Sequence, residues 1–403
     1  MWLKISSCAC FGIMVWASVA QQTAASQLPQ LYRVIGLNLG YASEPHDVNN
    51  SGLCVGNRGF DSNGQPVYWP SAGSTAFMTK IGSQYNNGSA RALNDGGMIV
   101  GWLESNATSA YQTTYHHAAA WNSGVPRWLP ESLAAKNSDA WDVNSDGVIV
   151  GQWDTLSPGT YSNVNFHAAA WLQDGTLLDL SKAGENASTA YAVNASGTAV
   201  GYRSEASGSY ALKWTLPSSA GGATVETNLT AGLQGTSFRA TAINDQGLIA
   251  GTYRTTAGAW VPFLYDTQIQ PLAFPAGMSN ITSCSINEVN NIGTAVGAIT
   301  ANSQFVPTIW RDGQAYDLNK LLEAPYYYSG YPVTFNQAYA INDLGIIAVT
   351  GSTPSPIAGT SAYLLVPIPE PSAFTLLLAA ACGLAFAWQY CQIRKVRETH
   401  WLL

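Results

Sequence analysis

The chain has 403 residues, is 47% hydrophobic, and carries 10% Asp, Glu, Lys and Arg, where about 25% is usual in soluble domains. A formal charge of -7 provides no basic face to follow a phosphate backbone, so no nucleic-acid partner is expected. The apolar content can fill a large core and argues against disorder. The 38 Gly, 20 Tyr and 14 Trp favour short strands and tight turns over helices.

Residues 1–20 read as a signal peptide. Lys4 precedes an apolar run over residues 11–16, and Ser18-Val19-Ala20 offers signal peptidase its small residues. The run is too short to cross a bilayer. Cys8 and Cys10 lie here, and Cys382 and Cys391 lie in or beside a C-terminal apolar segment. That leaves Cys54 and Cys284 in the body, as two separate buried thiols or as a pair formed in an oxidising compartment.

From residue 31 to 366 one phrase recurs: Asn, two residues, Gly, three mostly apolar residues, then usually Gly. The phrases are VNNSGLCVG, LNDGGMIVG, VNSDGVIVG, VNASGTAVG, INDQGLIAG, VNNIGTAVG and INDLGIIAV. They place Asn at 49, 94, 144, 194, 244, 290 and 342, in steps of 45, 50, 50, 50, 46 and 52. Seven copies at this period signal stacked or radially arranged units. The Asn side chain suits a turn in which it accepts from a backbone N–H two residues on. The Gly three later supplies the positive φ that closes a hairpin. A second Gly inside the outgoing strand implies close backbone approach by a neighbour.

Each hairpin is followed by a third strand-like phrase: PVYW, HAAAW, HAAAW, YALKW, VPFLY, VPTIW and AYLLV. A fourth, such as TLLDL at 176–180 or QAYDL at 314–318, follows in six of the seven. Four strands make one propeller blade. The seventh unit lacks its fourth strand, and residues 31–37 (LYRVIGL) form a spare strand at the other end. The predicted fold is therefore all-β, a seven-bladed β-propeller with four-stranded blades, the last closed by the N-terminal strand. An N-terminal signal helix and a C-terminal transmembrane helix flank it. The alternative is a linear β-solenoid, which would need polar caps instead of a donated strand.

The repeat resembles the HAF family of bacterial extracellular repeats, in which a His-Ala-Phe-x-Trp strand alternates with an Ile-Asn-x-x-Gly-x-Val-Val-Gly hairpin. HAAAW at 117 and 167 keeps His and Trp with Ala in place of Phe, and the other units depart further. The resemblance implies a repeat architecture and an extracellular address more than an activity.

Residues 367–372 hold Pro369-Glu370-Pro371, residues 373–391 form an uncharged apolar stretch long enough to span a bilayer, and residues 392–403 carry Arg394, Lys395 and Arg397. The basic cluster would stay cytoplasmic and leave the body outside. This order resembles the PEP-CTERM sorting signal of Gram-negative bacteria. The resemblance implies recognition of Pro369, Glu370 and Pro371 by an exosortase-type sorting enzyme, with the chain held in the membrane by its C-terminal helix before processing. It also implies delivery to the cell envelope, cell surface or extracellular matrix.

Candidate chemistry in the body is sparse. His117 and His167 occupy one repeat position, which points to packing, and His46 and His116 have no recognisable partner. The pairs Asp139/Asp142 and Glu44/Asp47 read as solvated strand ends rather than catalytic acids. The Asn and Asp oxygens on the turns would suit calcium, but no turn carries the acidic run of a strong site, and no metal or cofactor is expected. Nothing resembles a nucleophile elbow or phosphate loop. Trp102, Trp153, Tyr202 and Tyr253 recur in register, which favours packing over sugar stacking.

The function expected from the sequence is a non-catalytic binding or structural propeller, with extracellular polysaccharide or matrix proteins as candidate partners. The alternative is an extracellular carbohydrate-active enzyme, a glycoside hydrolase or lyase. Two or three carboxylates at the ring mouth would favour the enzyme, and an aromatic or polar mouth without them would favour binding.

Overall fold

In the computed structural model, which describes residues 30–37, 42–59, 64–70, 74–78, 87–104, 116–131, 137–154, 166–354 and 359–369, each Asn phrase forms the hairpin predicted for it. Asn144 shows how. Its Oδ1 accepts from the N–H groups of Asp146 at 3.1 Å and Val148 at 2.9 Å, and Gly147 turns the chain at φ 81°. The second Gly is required by the paired strand. A Cβ on Gly151 would lie 2.0 Å from the carbonyl oxygen of Asp139, and five other blades show the same collision at this position.

The described strands, numbered in chain order, form seven four-stranded sheets and one small hairpin. The first blade runs β2 (Ser43–Val48), β3 (Cys54–Arg58), β4 (Gln65–Trp69) and β5 (Ala76–Phe77), each paired antiparallel with the next. Five further blades repeat that order, beginning at β6 (Gly88–Leu93), β10 (Asn137–Val143), β14 (Ala187–Val193), β18 (Thr236–Ile243) and β22 (Ile281–Val289). The seventh consists of β28 (Thr334–Ile341), β29 (Ile347–Thr353), β30 (Gly359–Pro367) and, from the other end of the propeller, β1 (Tyr32–Gly36). β1 pairs with β30 from Tyr32↔Pro367 to Gly36↔Tyr363, so the vacancy in the last blade is filled as expected. The ring closes and the β-solenoid alternative is excluded. Residues Tyr32–Pro367 form one compact unit.

Packing follows the same sevenfold plan. Among the described residues the buried apolar side chains fall into seven clusters, one between each pair of neighbouring blades. The third strand of a blade is buried on both faces. This is why Ala118, Ala119 and Ala120, and again Ala168, Ala169 and Ala170, are small and fully enclosed. The Trp closing that strand (Trp69, Trp121, Trp171, Trp214, Trp310) fills the remaining space. Cys54 and Cys284 are buried in different clusters and are free thiols, so the pairing alternative falls.

Helix is confined, among the described residues, to the 3-10 turn Leu318–Lys320, and no described helix is long and apolar enough to cross a membrane. The predicted signal segment (1–20) and membrane segment (373–391) lie outside the described residues, as do Glu370, Pro371, Arg394, Lys395 and Arg397. Pro369 is exposed and lies beyond the end of β30.

Candidate functional site: the axial channel

The first strand of every blade lines the axis, and the repeat Asn residues tie these strands into a ring. Asn49 Nδ2 donates to the Asn94 carbonyl, Asn94 to Asn144, Asn144 to Asn194 and Asn194 to Asn244. Asn244 donates to Asn290, Asn290 to Asn342, and Asn342 back to Asn49 at 2.8 Å. Each Asn therefore closes its own turn with Oδ1 and reaches the next blade with Nδ2. The following residue adds an outer rim. Asn50 donates to Asp95 and Asp343, and Asn291 donates to Asp245 and Asp343.

Deeper in the channel, every inner strand carries a β-bulge three residues before its Asn. The pairing slips between Pro45 and Asp47, Ala90 and Ala92, Ala140 and Asp142, Ala190 and Ala192, Ala240 and Ala242, Ile286 and Glu288, and Ala338 and Ala340. The extra residues are His46, Arg91, Trp141, Tyr191, Thr241, Asn287 and Tyr339, and all seven line one cavity of about 370 Å3. A bulge breaks the strict alternation of a strand, so neighbours such as Trp141 and Asp142 both face the axis. The ring around this layer repeats while its lining does not.

Three of the seven staple blades together. His46 Nδ1 lies 2.7 Å from the Ala90 carbonyl, Thr241 Oγ1 donates to Ile286 at 2.6 Å, and Asn287 Nδ2 donates to Ala338 at 2.6 Å. Arg91, Trp141 and Tyr191 build an aromatic and cationic arc, and Tyr339 lies 5.9 Å from the His46 ring. Arg91 Cζ lies 4.7 Å over the Trp141 ring, and Trp141 meets Tyr191 edge-on at 5.7 Å. Trp141 Nε1 is buried without a hydrogen-bond partner among the described residues.

Between this cavity and the Asn-side mouth, a second cavity of about 200 Å3, lie Asp47, Asp142 and Glu288, which line both. Asp47 accepts from the N–H groups of Val48 at 2.7 Å and Leu93 at 2.8 Å, and Asp142 accepts from Val143 and Val193 at the same distances. Each therefore bridges two blades. Burial, reinforced by Asp142 and Asp95, pushes Asp47 up to about 7, and burial with Asp245 nearby pushes Asp142 up to about 6. Glu288 rises well above the carboxylate range through burial and the charges of Asp47, Asp142 and Asp343. Burial holds the His46 imidazole below its usual range.

These acids correct the sequence reading. Asp47 and Asp142, expected at solvated strand ends, sit on the axis, and Glu288 joins them from a blade with no such pair. Asp139 is not solvated either. Burial raises its pKa, but the neighbouring His116 imidazole, with the Gln152 hydrogen bond and Arg91, outweighs that and holds it low. His46 and His116 do have partners, since His116 Nδ1 lies 3.6 Å from Asp139 and its ring stacks on Trp102 at 3.7 Å. A signal for the channel lining was present in the sequence: at three residues before the repeat Asn the chain reads His, Arg, Trp, Tyr, Thr, Asn, Tyr.

The other candidates lie in contacts within and between blades. His117 Nδ1 lies 2.8 Å from Glu131, and His167 lies 3.4 Å from Glu185 on the segment that leads into the next blade. In both blades a Ser from the following inner strand, Ser138 or Ser188, binds that Glu and accepts the N–H next to the His. Trp102, Trp153 and Tyr202 are buried, and Tyr253 stacks on Phe238. Among the described residues no group of three or more His, Cys, Asp or Glu is placed to hold a metal ion.

No family model matches the chain, and no curated protein matches it in sequence. Solved structures with a similar course include the β-propeller domain of the Trilobed protease from Pyrococcus furiosus, at 9% identity and TM-score 0.48, over 82% of this chain and 96% of that one. Acylaminoacyl peptidase from Pyrococcus horikoshii aligns at 11% identity and TM-score 0.49, over 83% of this chain and 53% of that one. A gluconolactonase from Xanthomonas campestris aligns at 12% identity and TM-score 0.38, over 84% and 91%. These likenesses carry no functional argument.

Proposed function

We propose that the chain is an exported, surface-displayed propeller that binds an extracellular polysaccharide or matrix component through its axial channel. One observation carries the binding reading: side chains of six kinds occupy the seven copies of a single repeat position, inside a ring whose frame is otherwise uniform. Three of these side chains bind the next blade, and Arg91, Trp141, Tyr191 and Tyr339 give the cavity the mixed cationic and aromatic lining on which recognition depends. The address rests on the sequence. Residues 1–20 suit export, and Pro369-Glu370-Pro371, the apolar stretch and Arg394, Lys395 and Arg397 suit sorting by an exosortase-type enzyme.

The carbohydrate-active enzyme keeps a place as the second reading because Asp47, Asp142 and Glu288 meet the carboxylate criterion set by the sequence. Glycoside hydrolysis uses one protonated and one ionised carboxyl group, and acids with raised pKa values share this channel. Against it, Asp47 and Asp142 are each held by two backbone N–H groups in a bridging role.

The test is a binding and turnover screen of the full chain on matrix polysaccharides. Saturable binding without cleaved product supports the module. Product formation that disappears in Asp142→Asn replaces it with the enzyme. Separately, Glu370→Ala is expected to leave the chain in the membrane fraction, and unchanged release to the surface would remove the sorting assignment.

A further inference from the structure

We infer that the face carrying the repeat turns rests on a lipid surface by its edge at blades six and seven, with Ile292 and Leu344 seated among the headgroups and upper acyl chains. The inference goes beyond the binding reading and rests on the proposed address, in which residues 373–391 span the bilayer. Three observations support it.

The first is an apolar pair where the repeat is otherwise polar. Two residues after the repeat Asn, at the tip of each inner hairpin, the first five blades carry Ser51, Gly96, Asp146, Ser196 and Gln246. Blades six and seven carry Ile292 and Leu344, which are 71% and 61% exposed. Their two tips are bonded to each other, since Asn291 donates to Asp343 through its backbone N–H at 2.8 Å and through Nδ2 at 3.0 Å. Two large aliphatic side chains therefore stand on adjoining tips, uncovered by the fold.

The second is the place where the chain leaves the ring. Leu365 pairs with Ile347, so Val366 and Pro367 run on alongside the hairpin that carries Leu344. A Cβ on Gly345 would lie 3.5 Å from Pro367 Cγ. Five residues, 368–372, separate Pro367 from the apolar stretch, a reach of roughly 20 Å at full extension. The Leu344 tip is thereby held close to the point where residue 373 enters the bilayer. Such a tether makes insertion intramolecular, so a contact too weak to hold a free protein is still populated.

The third is charge. The carboxylates beside the pair, Asp245 and Asp343, both accept from Asn291 Nδ2 and are held in the rim. Asp146 stands at the tip of blade three, across the ring from blades six and seven. A ring tilted onto the apolar pair lifts Asp146 away from the surface. Interfacial contacts work in this way, burying aliphatic side chains while charges stay in water.

The experiment is photocrosslinking of the full chain in phosphatidylcholine vesicles, with a benzophenone amino acid placed at Ile292, Leu344, Gln246 or Asp146 in turn. Phospholipid adducts are counted by mass spectrometry. Probes at Ile292 and Leu344 should give about tenfold more lipid adduct than the same probe at Asp146. With the probe at Gln246, on the tip beside Ile292, the double substitution Ile292→Ser and Leu344→Ser should cut the lipid adduct several-fold. Thermal midpoints of the variants show that the ring is intact.

Equal lipid adducts at Ile292, Leu344 and Asp146 overturn the inference, as does a yield at Gln246 that ignores the double substitution. Adducts with protein in place of lipid overturn it in favour of a second copy of the chain. Flotation of the vesicles in alkaline carbonate separates its failure from that of the address. A chain that floats with the vesicles but gives no selective adducts removes this inference alone. A chain washed off them removes the membrane address, and the inference falls with it.

Discussion

Replacing Asn144 by Ala removes three hydrogen bonds at once: one to the Asn194 carbonyl at 2.9 Å, and those from the N–H groups of Asp146 at 3.1 Å and Val148 at 2.9 Å. A neutral hydrogen bond contributes about 1 kcal/mol net, and a buried polar group left unpaired costs about 1–3 kcal/mol. Asn144 is 5% exposed, so water does not readily replace what is lost. The expected destabilisation is therefore about 3–5 kcal/mol. Urea unfolding followed by tryptophan fluorescence measures it, with a lower midpoint and an unchanged slope. Asn144→Asp refines the test. It keeps the accepting oxygen but sets a carboxylate against the Asn194 carbonyl, so it should be milder at pH 4, where a protonated carboxyl can donate, than at pH 8. A loss below about 1 kcal/mol for Asn144→Ala, or no pH difference for Asn144→Asp, would refute the view that the Asn ring holds the blades together.

Asp47 has a folded-state pKa raised to about 7, so the folded state holds its proton more tightly than the unfolded chain. Its contribution to stability is complete below the unfolded value and is lost as pH rises through about 7. The groups acting on it are the Val48 and Leu93 N–H donors, Asp142, Asp95 and Glu288. The stability of the native chain relative to Asp47→Ala should accordingly fall between pH 4 and pH 8, and a gap that widens with pH contradicts the assignment. Gly151→Ala places a Cβ 2.0 Å from the Asp139 oxygen and 3.1 Å from the Ala140 Cα, both backbone atoms. A loss of about 1–3 kcal/mol is expected from such overpacking, read by the same unfolding assay. Removing β1 exposes the edge of β30 and takes away Tyr32, which is 2% exposed in the cluster between the last two blades. The shortened chain should self-associate in light scattering, and a stable monomer with a cooperative transition would show that closure is dispensable.

Most of the frame was legible because it depends on local rules. Asn followed three residues later by Gly closes the same turn in all seven units, and seven copies at one period require a repeating architecture. The missing fourth strand of the last unit and the spare strand at 31–37 together pointed to a closed ring. The acids were misread for an equally local reason. Asp142 stands two residues before a turn Asn, a position that is exposed in an ordinary hairpin. In the ring it is enclosed by the next blade, whose Val193 N–H it accepts.

The sequence by itself determined the repeat, the hairpin at each Asn, the Gly that each paired strand demands, and the strand exchanged between the two ends. These follow from backbone geometry over a few residues and from counting units. The tertiary structure decided what faces the axis. Seven bulges shift the register three residues before each Asn, so that consecutive residues such as Trp141 and Asp142 line one channel instead of pointing to opposite faces of a sheet. Alternation along a strand does not reveal such a shift. It depends on how seven inner strands crowd one axis, and that crowding exists only once the ring has closed.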